Sequence, residues 1–300
     1  MENPHYAYSP IVRRTPLRFP GGQRLAVWIG MNVEHYSFGV PAISLAPFTA
    51  SLVPDPLNHG WRDYGPRVGV WRLMEILDGF DMRASGILNS EVCLRYPEIV
   101  GEGSSRGWCW VSHGANNSTW QNGMKRDEER DYLTKVTDDI QAGTGCRPKG
   151  WLGPALTASA NTYALLAELG YQYTLDWAID DEPVRLSDTS GKLLSVPYSA
   201  ELNDLPLFAI RGQTATEFSE AVIDQFDQLL EEGESRPRVM GLGLHPFLTG
   251  QPFRARHLSR ALEHMRGHDD VWFATSDEIA SWYLELELGN SQQSAELPTR

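Results

Sequence analysis

The sequence predicts an α/β protein built as a (β/α) barrel of about seven to eight parallel strands. From residue 24 onward, short apolar runs of strand length alternate with longer runs of helical periodicity. Repeated strand–helix alternation is typical of a parallel sheet. No glycine-rich dinucleotide fingerprint follows the first strand, so a barrel is favoured over a doubly wound sheet.

Eight segments of the chain have the length and apolar character of strands. In chain order they are residues 24–32, 82–89, 107–113, 149–153, 171–177, 193–198, 238–245 and 270–275. Short apolar runs of this length are consistent with the buried strands of a parallel sheet.

Six segments between these strands have the periodicity of amphipathic helices. They are residues 67–80, 124–145, 159–170, 214–233, 255–267 and 275–286. In the fourth segment, apolar side chains recur on one helical face, at Phe218, Val222, Phe226 and Leu229. Thr214 or Thr216 can cap its start, and Gly233 can end it.

One connection differs from the others. Residues 33–67 follow the first strand as a long, proline-rich segment without an evident helical period. Loops of this length are often lids or substrate walls, and His59 in this segment could reach a site at the end of the first strand. We expect residues 1–288 to form a single barrel domain and the polar residues 289–300 to form a flexible tail.

Composition restricts the classes of partner. The 300 residues are 41% hydrophobic and carry a net charge of −13, whereas nucleic acids and anionic membranes bind basic surfaces. No segment has the length and apolarity of a membrane span or a secretion signal. The cysteines, Cys93, Cys109 and Cys146, form no CxxC pair, which suggests a reducing compartment. We therefore expect a cytoplasmic protein that binds neither nucleic acid nor membrane, and we leave a homo-oligomer open.

The residues that could carry chemistry follow the predicted strands. In a barrel, the carboxyl ends of the strands meet at the face that holds the active site. Glu34 and His35 follow the first strand, where they could supply a general base and a metal ligand or form a buried polar pair. His245 ends the seventh strand, where it could act as a general acid or bond to backbone. The sequence contains no P-loop, HExxH or Cys–His signature, and its GxSxG match, GSSRG at residues 103–107, precedes a predicted strand and so is not a nucleophile elbow. These patterns disfavour serine, cysteine and nucleotide-driven chemistry.

His113 ends the third predicted strand, in the stretch SHGANNS. Four residues later, where a second histidine would complete a metal pair, the chain has Asn117. An amide oxygen is a weak ligand for zinc, so His113 is either part of a metal site or a hydrogen-bonded loop histidine. After the fifth strand, three carboxylates could orient an imidazole or form a solvated acidic loop: Asp176, Asp180 and Asp181.

Seven stretches, taken in order, carry a family resemblance: FPGGQRLAVWIGMNVEH, YGPRVGVWRLMEIL, GWCWVSHG, TGCRPKGWLGP, LGYQYTLDWAIDDEP, SVPYSAELND and LGLHPFLTGQPFRARHLSRAL. They resemble the polysaccharide deacetylase superfamily, in particular its branch of metal-independent allantoinases and cyclic imidases. The resemblance covers about residues 19–283. It implies a distorted (β/α) barrel of the polysaccharide deacetylase type and hydrolysis of a carbon–nitrogen bond other than a peptide bond.

The resemblance assigns roles by position. The family's first motif ends in two aspartates, a base and then a metal ligand, and these positions hold Glu34 and His35. Its second motif has two histidines four residues apart, and these positions hold His113 and Asn117. His35, His113 and Asn117 could still bind a divalent metal such as zinc, or the site could work without a metal, as the allantoinase branch implies. We expect the metal to be weakly bound or absent.

The resemblance also implies a brace for the base and an acid. Arg147, followed by Pro148, matches the arginine-proline motif that holds the base ionised, and His245 matches the late histidine that acts as acid. The leading hypothesis is an amidohydrolase of a small amide, imide or ureide, with Glu34 as base. Five residues are candidates for substrate contacts, although each could equally serve in packing: Trp61, Trp151, Asp176, Tyr198 and Asn203. The alternatives are an N-deacetylase of an acetylated amino sugar or polysaccharide and a non-catalytic binding pseudoenzyme.

Overall fold

Nine strands form one curled sheet in the computed structural model, which describes residues 3–189 and 191–295. In chain order they are β1 (Leu25–Val33), β2 (Ala84–Leu88), β3 (Cys109–Ser112), β4 (Gly150–Trp151), β5 (Tyr173–Thr174), β6 (Val184–Arg185), β7 (Leu194–Ser195), β8 (Arg238–Leu244) and β9 (Val271–Phe273). Their order across the sheet is β6-β7-β5-β4-β3-β2-β1-β8, with β9 beside β1. All pairings are parallel except that of β6 with β7. The predicted distorted (β/α) barrel is confirmed. β6 was not predicted, because a strand of two residues has no recognisable sequence pattern.

β1 lies at the centre of the sheet and is buried along its whole length. β8 pairs with it from Leu25 to Met31 along one edge. Along the other edge, β9 pairs with residues 25–27 and β2 with residues 29–33. Strands covered on both faces are apolar throughout, so this run was recognisable in the sequence. The pairing of β1 with β2 on one edge and β8 on the other therefore fixes the position of the residues that follow Val33.

The α-helices of the described chain are α1 (Pro56–Tyr64), α2 (Val70–Gly79), α3 (Ser90–Arg95), α4 (Pro97–Ser105), α5 (Arg126–Thr144), α6 (Thr162–Glu168), α7 (Ala215–Glu232), α8 (Pro252–Arg266) and α9 (Ser276–Ala295). The six predicted helices correspond to α2 and to α5 through α9. None of the helices in the described part of the chain is both long enough and apolar enough to cross a bilayer.

The long segment 33–67 contains a helix that the sequence did not predict. Asp55 caps α1 by accepting a hydrogen bond from the backbone N–H of Asn58 at 3.3 Å. Pro56 occupies the first turn, where the fixed proline φ angle suits a helix. The expectation that this segment has no periodic structure was wrong. The helix is short and lies among prolines, so its sequence shows no clear helical period.

The last helix is longer than predicted. α9 continues to Ala295, so residues 289–295 are helical and do not begin a tail at residue 289. A glycine inside a helix costs about 1 kcal/mol, and Gly289 is not enough to end this one. Residues 296–300 lie outside the described residues, and the flexibility of the tail stays a prediction.

Two layers of apolar side chains pack against the sheet. Alternate residues of a strand point to opposite faces. In β1, Leu25 and Val27 pack in the layer that contains the helices, whereas Ala26 and Trp28 face the inside of the curl. β3 alternates in the same way, with Val111 inside. A side chain an even number of residues beyond an inward one is therefore also expected inside.

Candidate active site

Three polar side chains meet inside the curl, at the carboxyl ends of β1, β3 and β8. Glu34, His113 and His245 continue the inward alternation of their strands. The Nε2 atoms of His113 and His245 lie 3.4 and 3.6 Å from Oε1 of Glu34. The side chains of Glu34 and His245 are only 4% and 6% exposed. The three residues that the sequence placed at strand ends therefore form one buried cluster.

Two hydrogen bonds fix the Glu34 carboxylate. Asn117 Nδ2 donates to Oε1 at 2.6 Å, and the Tyr36 hydroxyl donates to Oε2 at 2.7 Å. Burial alone would raise the pKa of Glu34, but His245, His113 and the Tyr36 hydroxyl together outweigh burial and lower that pKa. Glu34 is therefore ionised at neutral pH despite its burial.

A relay through Asn89 sets the orientation of the Asn117 amide. The backbone N–H of His35 donates to Oδ1 of Asn89 at 2.8 Å, and Asn89 Nδ2 donates to the backbone carbonyl of His113. These backbone partners fix the Asn89 amide, so its nitrogen is the atom that donates to Oδ1 of Asn117, at 3.1 Å. The oxygen of Asn117 is thus occupied and its nitrogen faces Glu34. This arrangement contradicts the predicted use of Asn117 as a metal ligand.

His35 points away from the cluster, because it lies on the opposite side of the β1 alternation. Its Nδ1 lies 3.1 Å from the Tyr96 hydroxyl and its Nε2 lies 3.7 Å from the Glu91 carboxylate. The predicted metal set of His35, His113 and Asn117 therefore does not converge, and these donors do not fit the metal of the family pattern. Among the described His, Cys, Asp and Glu side chains, ligand atoms within 4.8 Å of one another occur in one group of three, on α7 and at the end of α8: Asp227, His264 and His268.

A carboxylate that the sequence did not single out holds His245. Asp204 accepts a hydrogen bond from Nδ1–H of the His245 ring at 2.6 Å and another from its backbone N–H at 2.7 Å. The Thr249 hydroxyl also donates to this carboxylate. Burial by itself would lower the pKa of His245, but Glu34 and Asp204 reverse that effect and raise it. Since Asp204 takes Nδ1, Nε2 is the ring atom left to face Glu34.

His113 is fixed by the neighbouring strand. Its Nδ1–H donates to the carbonyl oxygen of Leu152 at 2.7 Å, which leaves Nε2 facing Glu34. Beside it, Asp176 accepts a hydrogen bond from the backbone N–H of Gly153 at 2.6 Å. The Oδ2 atom of Asp176 is buried without a hydrogen-bond partner among the described residues. Burial raises the pKa of Asp176 to about 6. The predicted substrate contact of Asp176 stays a prediction.

Arg147 does not brace Glu34, and that prediction was wrong. Arg147 precedes β4 and therefore lies at the amino end of a strand, whereas Glu34 follows the carboxyl end of β1. Its exposed side chain donates to the carbonyl oxygen of Leu169 at 2.8 Å. An Arg-Pro pair does not by its sequence show which end of a strand it occupies.

Three of the predicted substrate contacts, Trp151, Tyr198 and Asn203, are buried, whereas Trp61 is partly exposed. Trp151 is fully buried and packs edge-on against Tyr171, with ring centroids 6.2 Å apart, so its predicted substrate contact was wrong. Tyr198 and Asn203 are buried, and Asn203 Nδ2 donates to the Tyr198 hydroxyl at 2.8 Å. Trp61 is half-buried and packs edge-on against a second aromatic ring, that of Phe247.

The acidic loop after β5 serves ion pairs outside the cluster. Asp180 pairs with Arg14 at 2.5 Å, and Asp181 lies 3.8 Å from Arg238.

A cavity of about 1200 Å³ opens between the N-terminal segment and residues 178–187, but it is not lined by any residue of the buried cluster. A much smaller cavity reaches Glu34 itself, and α1 supplies part of its lining. The segment 33–67 therefore forms a wall of the candidate site.

Comparisons with known proteins identify similar chains. Residues 62–174 match the family model for polysaccharide deacetylase. A Schizosaccharomyces pombe protein described as "Putative polysaccharide deacetylase" is 28% identical over 281 residues, which cover 87% of this chain and 85% of that protein.

Solved structures resemble most of the chain. A probable polysaccharide deacetylase from Pseudomonas aeruginosa PAO1 superposes with a TM-score of 0.79 and 27% identity, over 88% of this chain and 92% of that one. The PuuE allantoinase superposes with a TM-score of 0.78 and 27% identity, over 89% of this chain and 93% of that one.

Proposed function

We propose that this chain, which belongs to the polysaccharide deacetylase superfamily and is a hydrolase of carbon–nitrogen bonds other than peptide bonds, acts on a small amide, imide or ureide. One observation carries the proposal: an ionised carboxylate, Glu34, lies buried between two imidazoles at the carboxyl ends of the strands. The likeness to the PuuE allantoinase supports a small nitrogen-containing substrate.

In the proposed mechanism, Glu34 is the general base. It removes a proton from the water that attacks the substrate carbonyl, which forms a tetrahedral intermediate. Its lowered pKa keeps the carboxylate in the accepting form at neutral pH, and Asn117 and Tyr36 hold the carboxylate in place. A base positioned in this way contributes about 10²- to 10⁴-fold to the rate.

His245 is the general acid of the proposal. An amide anion is a poor leaving group, so the departing nitrogen needs a proton. Asp204 accepts from Nδ1–H and raises the pKa of the ring together with Glu34, so that Nε2 carries a proton on the Glu34 side. His113 Nε2 approaches the same carboxylate oxygen, Oε1 of Glu34, at 3.4 Å. No step is assigned to a metal, because the donor set of the family pattern is not assembled.

An N-deacetylase of an acetylated amino sugar is the second candidate, since the relatives from Schizosaccharomyces pombe and Pseudomonas aeruginosa carry deacetylase names. The same base and acid could release acetate from an N-acetyl group. The deep burial of Glu34 and His245 favours a small molecule over a polymer strand.

Turnover of a panel of ring amides, ring imides, ureides and N-acetylated sugars tests the proposal, with and without a chelator. We expect activity on a small ring substrate that survives chelation. Glu34→Gln should reduce it by at least about 10²-fold with an unchanged circular dichroism spectrum, whereas Glu220→Gln, at an exposed position of α7, should not. Activity on N-acetylated sugars alone would favour the second candidate, and no turnover of any member would support the non-catalytic alternative.

A further inference from the structure

One face of α1 carries a buried cation without a carboxylate partner. Arg62 is only 6% exposed. Its Nη1 donates to the carbonyl oxygen of Ile43 at 2.7 Å, while its Nε is buried without a hydrogen-bond partner. Within the described residues, no carboxylate comes within ion-pair distance of this guanidinium. Buried charges are normally paired, so this one indicates a missing partner.

His59 adds a second unpartnered nitrogen to the same face. It precedes Arg62 by three residues, and residues at this spacing are neighbours on a helix surface. The Nδ1 atom of His59 is buried, and no described residue hydrogen-bonds to it. The ring stands edge-on to Phe38, with centroids 5.0 Å apart. Two buried nitrogen atoms, one helical turn apart on α1, therefore lack hydrogen-bond partners among the described residues.

These two nitrogen atoms belong to side chains that lie beside the proposed base. Arg62, His59 and Glu34 line the same small cavity. The Arg62 guanidinium lies 5.1 Å from the centre of the Tyr36 ring, and the hydroxyl of that tyrosine donates to Glu34 at 2.7 Å. A small molecule whose carbonyl is at Glu34 would therefore extend towards α1.

The carboxylates near Arg62 have other partners. Asp55 attracts the guanidinium from beyond ion-pair distance, but its carboxylate accepts hydrogen bonds from Asn58. Glu34 is opposed by the two imidazoles on its other side. Asp63 also lines the cavity, but it faces the exposed Arg67 at 3.8 Å. An anionic group of the ligand would complete the set.

We propose that Arg62, with His59, binds a carboxylate of the substrate, so that the substrate class is a small amide or imide that carries a carboxylate. The proposal rests on the proposed function, since it places the reacting carbonyl at Glu34. A guanidinium matches a carboxylate with two parallel N–H bonds, and the edge that contains Nε donates to no described residue.

The test is binding without turnover, measured by titration calorimetry with N-acetylglycine and its neutral counterpart N-acetylglycinamide. We expect the parent to bind the carboxylate probe at least about tenfold more tightly than the amide probe. Arg62→Gln should remove this preference. Arg67→Gln, which changes an arginine that is 73% exposed and forms an ion pair with Asp63, should keep it.

Equal affinity of the parent for the two probes, including no binding of either, would overturn the proposal without any variant. A preference that survives Arg62→Gln would also overturn it. Arg62→Lys, which keeps the charge but loses the planar fork, should retain part of the preference, and circular dichroism shows whether each variant folds. Because binding is measured without hydrolysis, a failure here is distinct from a failure of the hydrolase function, which the turnover panel reports.

Discussion

At the scale of single residues, the protein lowers the pKa of the proposed base and raises the pKa of the proposed acid relative to their ordinary values. The pKa of Glu34 lies below its usual 4.5 and that of His245 above its usual 6.5. Base catalysis needs ionised Glu34 and is lost as pH falls through the lowered value. Acid catalysis needs protonated His245 and is lost as pH rises through the raised value. We therefore expect a bell-shaped profile of kcat/KM, which reports the free enzyme.

Asp204→Asn should move the alkaline limb of that profile to lower pH, because the variant removes a charge that raises the pKa of His245. The acid limb, set by Glu34, should stay in place. Asp227→Asn is the matched control, since Asp227 bonds a different histidine, His264, at 2.7 Å. An alkaline limb that Asp204→Asn leaves unmoved would remove His245 from the acid role.

Asp176 gives a prediction on stability. Burial raises its pKa in the folded chain from 3.8 to about 6, so its contribution to stability is fully present below the lower value and is lost as pH rises through the higher one. Asp176→Asn removes the cost of the buried charge and should raise the free energy of unfolding at about pH 8 by roughly 1–3 kcal/mol. Urea denaturation across pH measures it. The gain should fade towards about pH 4, and the exposed Asp224→Asn should show none; a gain independent of pH would refute this explanation.

At the scale of elements, strand alternation explains which site residues the sequence could reveal. Glu34, His113 and His245 follow apolar runs long enough to recognise, and the inward phase of each run fixes the direction of its side chain. The same alternation directs the side chains of His35 and Trp151 towards the layer that contains the helices. Their positions in the sequence alone did not show this direction.

The residues that the sequence missed lie where no periodic pattern exists. Asp204 lies in the irregular connection after β7, just before a short π-helical turn that begins at Leu205, and its only signal was a place after a strand. Arg62 belongs to α1, a single short helix among prolines. Arg147 was misassigned because a two-letter motif does not say which end of a strand it occupies.

Close packing behind the site yields a prediction at this scale. A Cβ at Gly243 would lie 2.6 Å from the Tyr198 hydroxyl and 2.8 Å from Asn203 Nδ2, so Gly243→Ala should destabilise the fold by about 1–3 kcal/mol. Gly101→Ala makes the same change on α4, where nothing lies within 4 Å, and should stabilise by about 0.5–1 kcal/mol. Chemical denaturation compares the two, and equal shifts would show that Gly243 is not confined.

At the scale of the whole molecule, the barrel was predictable because one pattern repeats along the chain. The packing of the N-terminal segment against the barrel was not. The N-terminal segment is tied down by an ion pair from Arg14 to Asp180 and a second from Arg14 to Glu182, at 2.5 and 3.2 Å. Pairing between charges distant in sequence leaves no periodic trace, so these links appear only in three dimensions.

The predicted single domain over residues 1–288 has a thermodynamic consequence. All nine strands, β1 to β9, belong to one sheet, and β1 pairs directly with β2, β8 and β9. Loss of β1 would therefore separate the strands on its two sides from one another. We expect one cooperative unfolding transition in urea, in which far-ultraviolet circular dichroism, which follows the helices, and fluorescence of the 10 tryptophans give the same midpoint. Gly243→Ala should shift both midpoints together. Two separate transitions, or a shift in one signal alone, would show that the chain contains more than one folding unit and would refute the single-domain prediction.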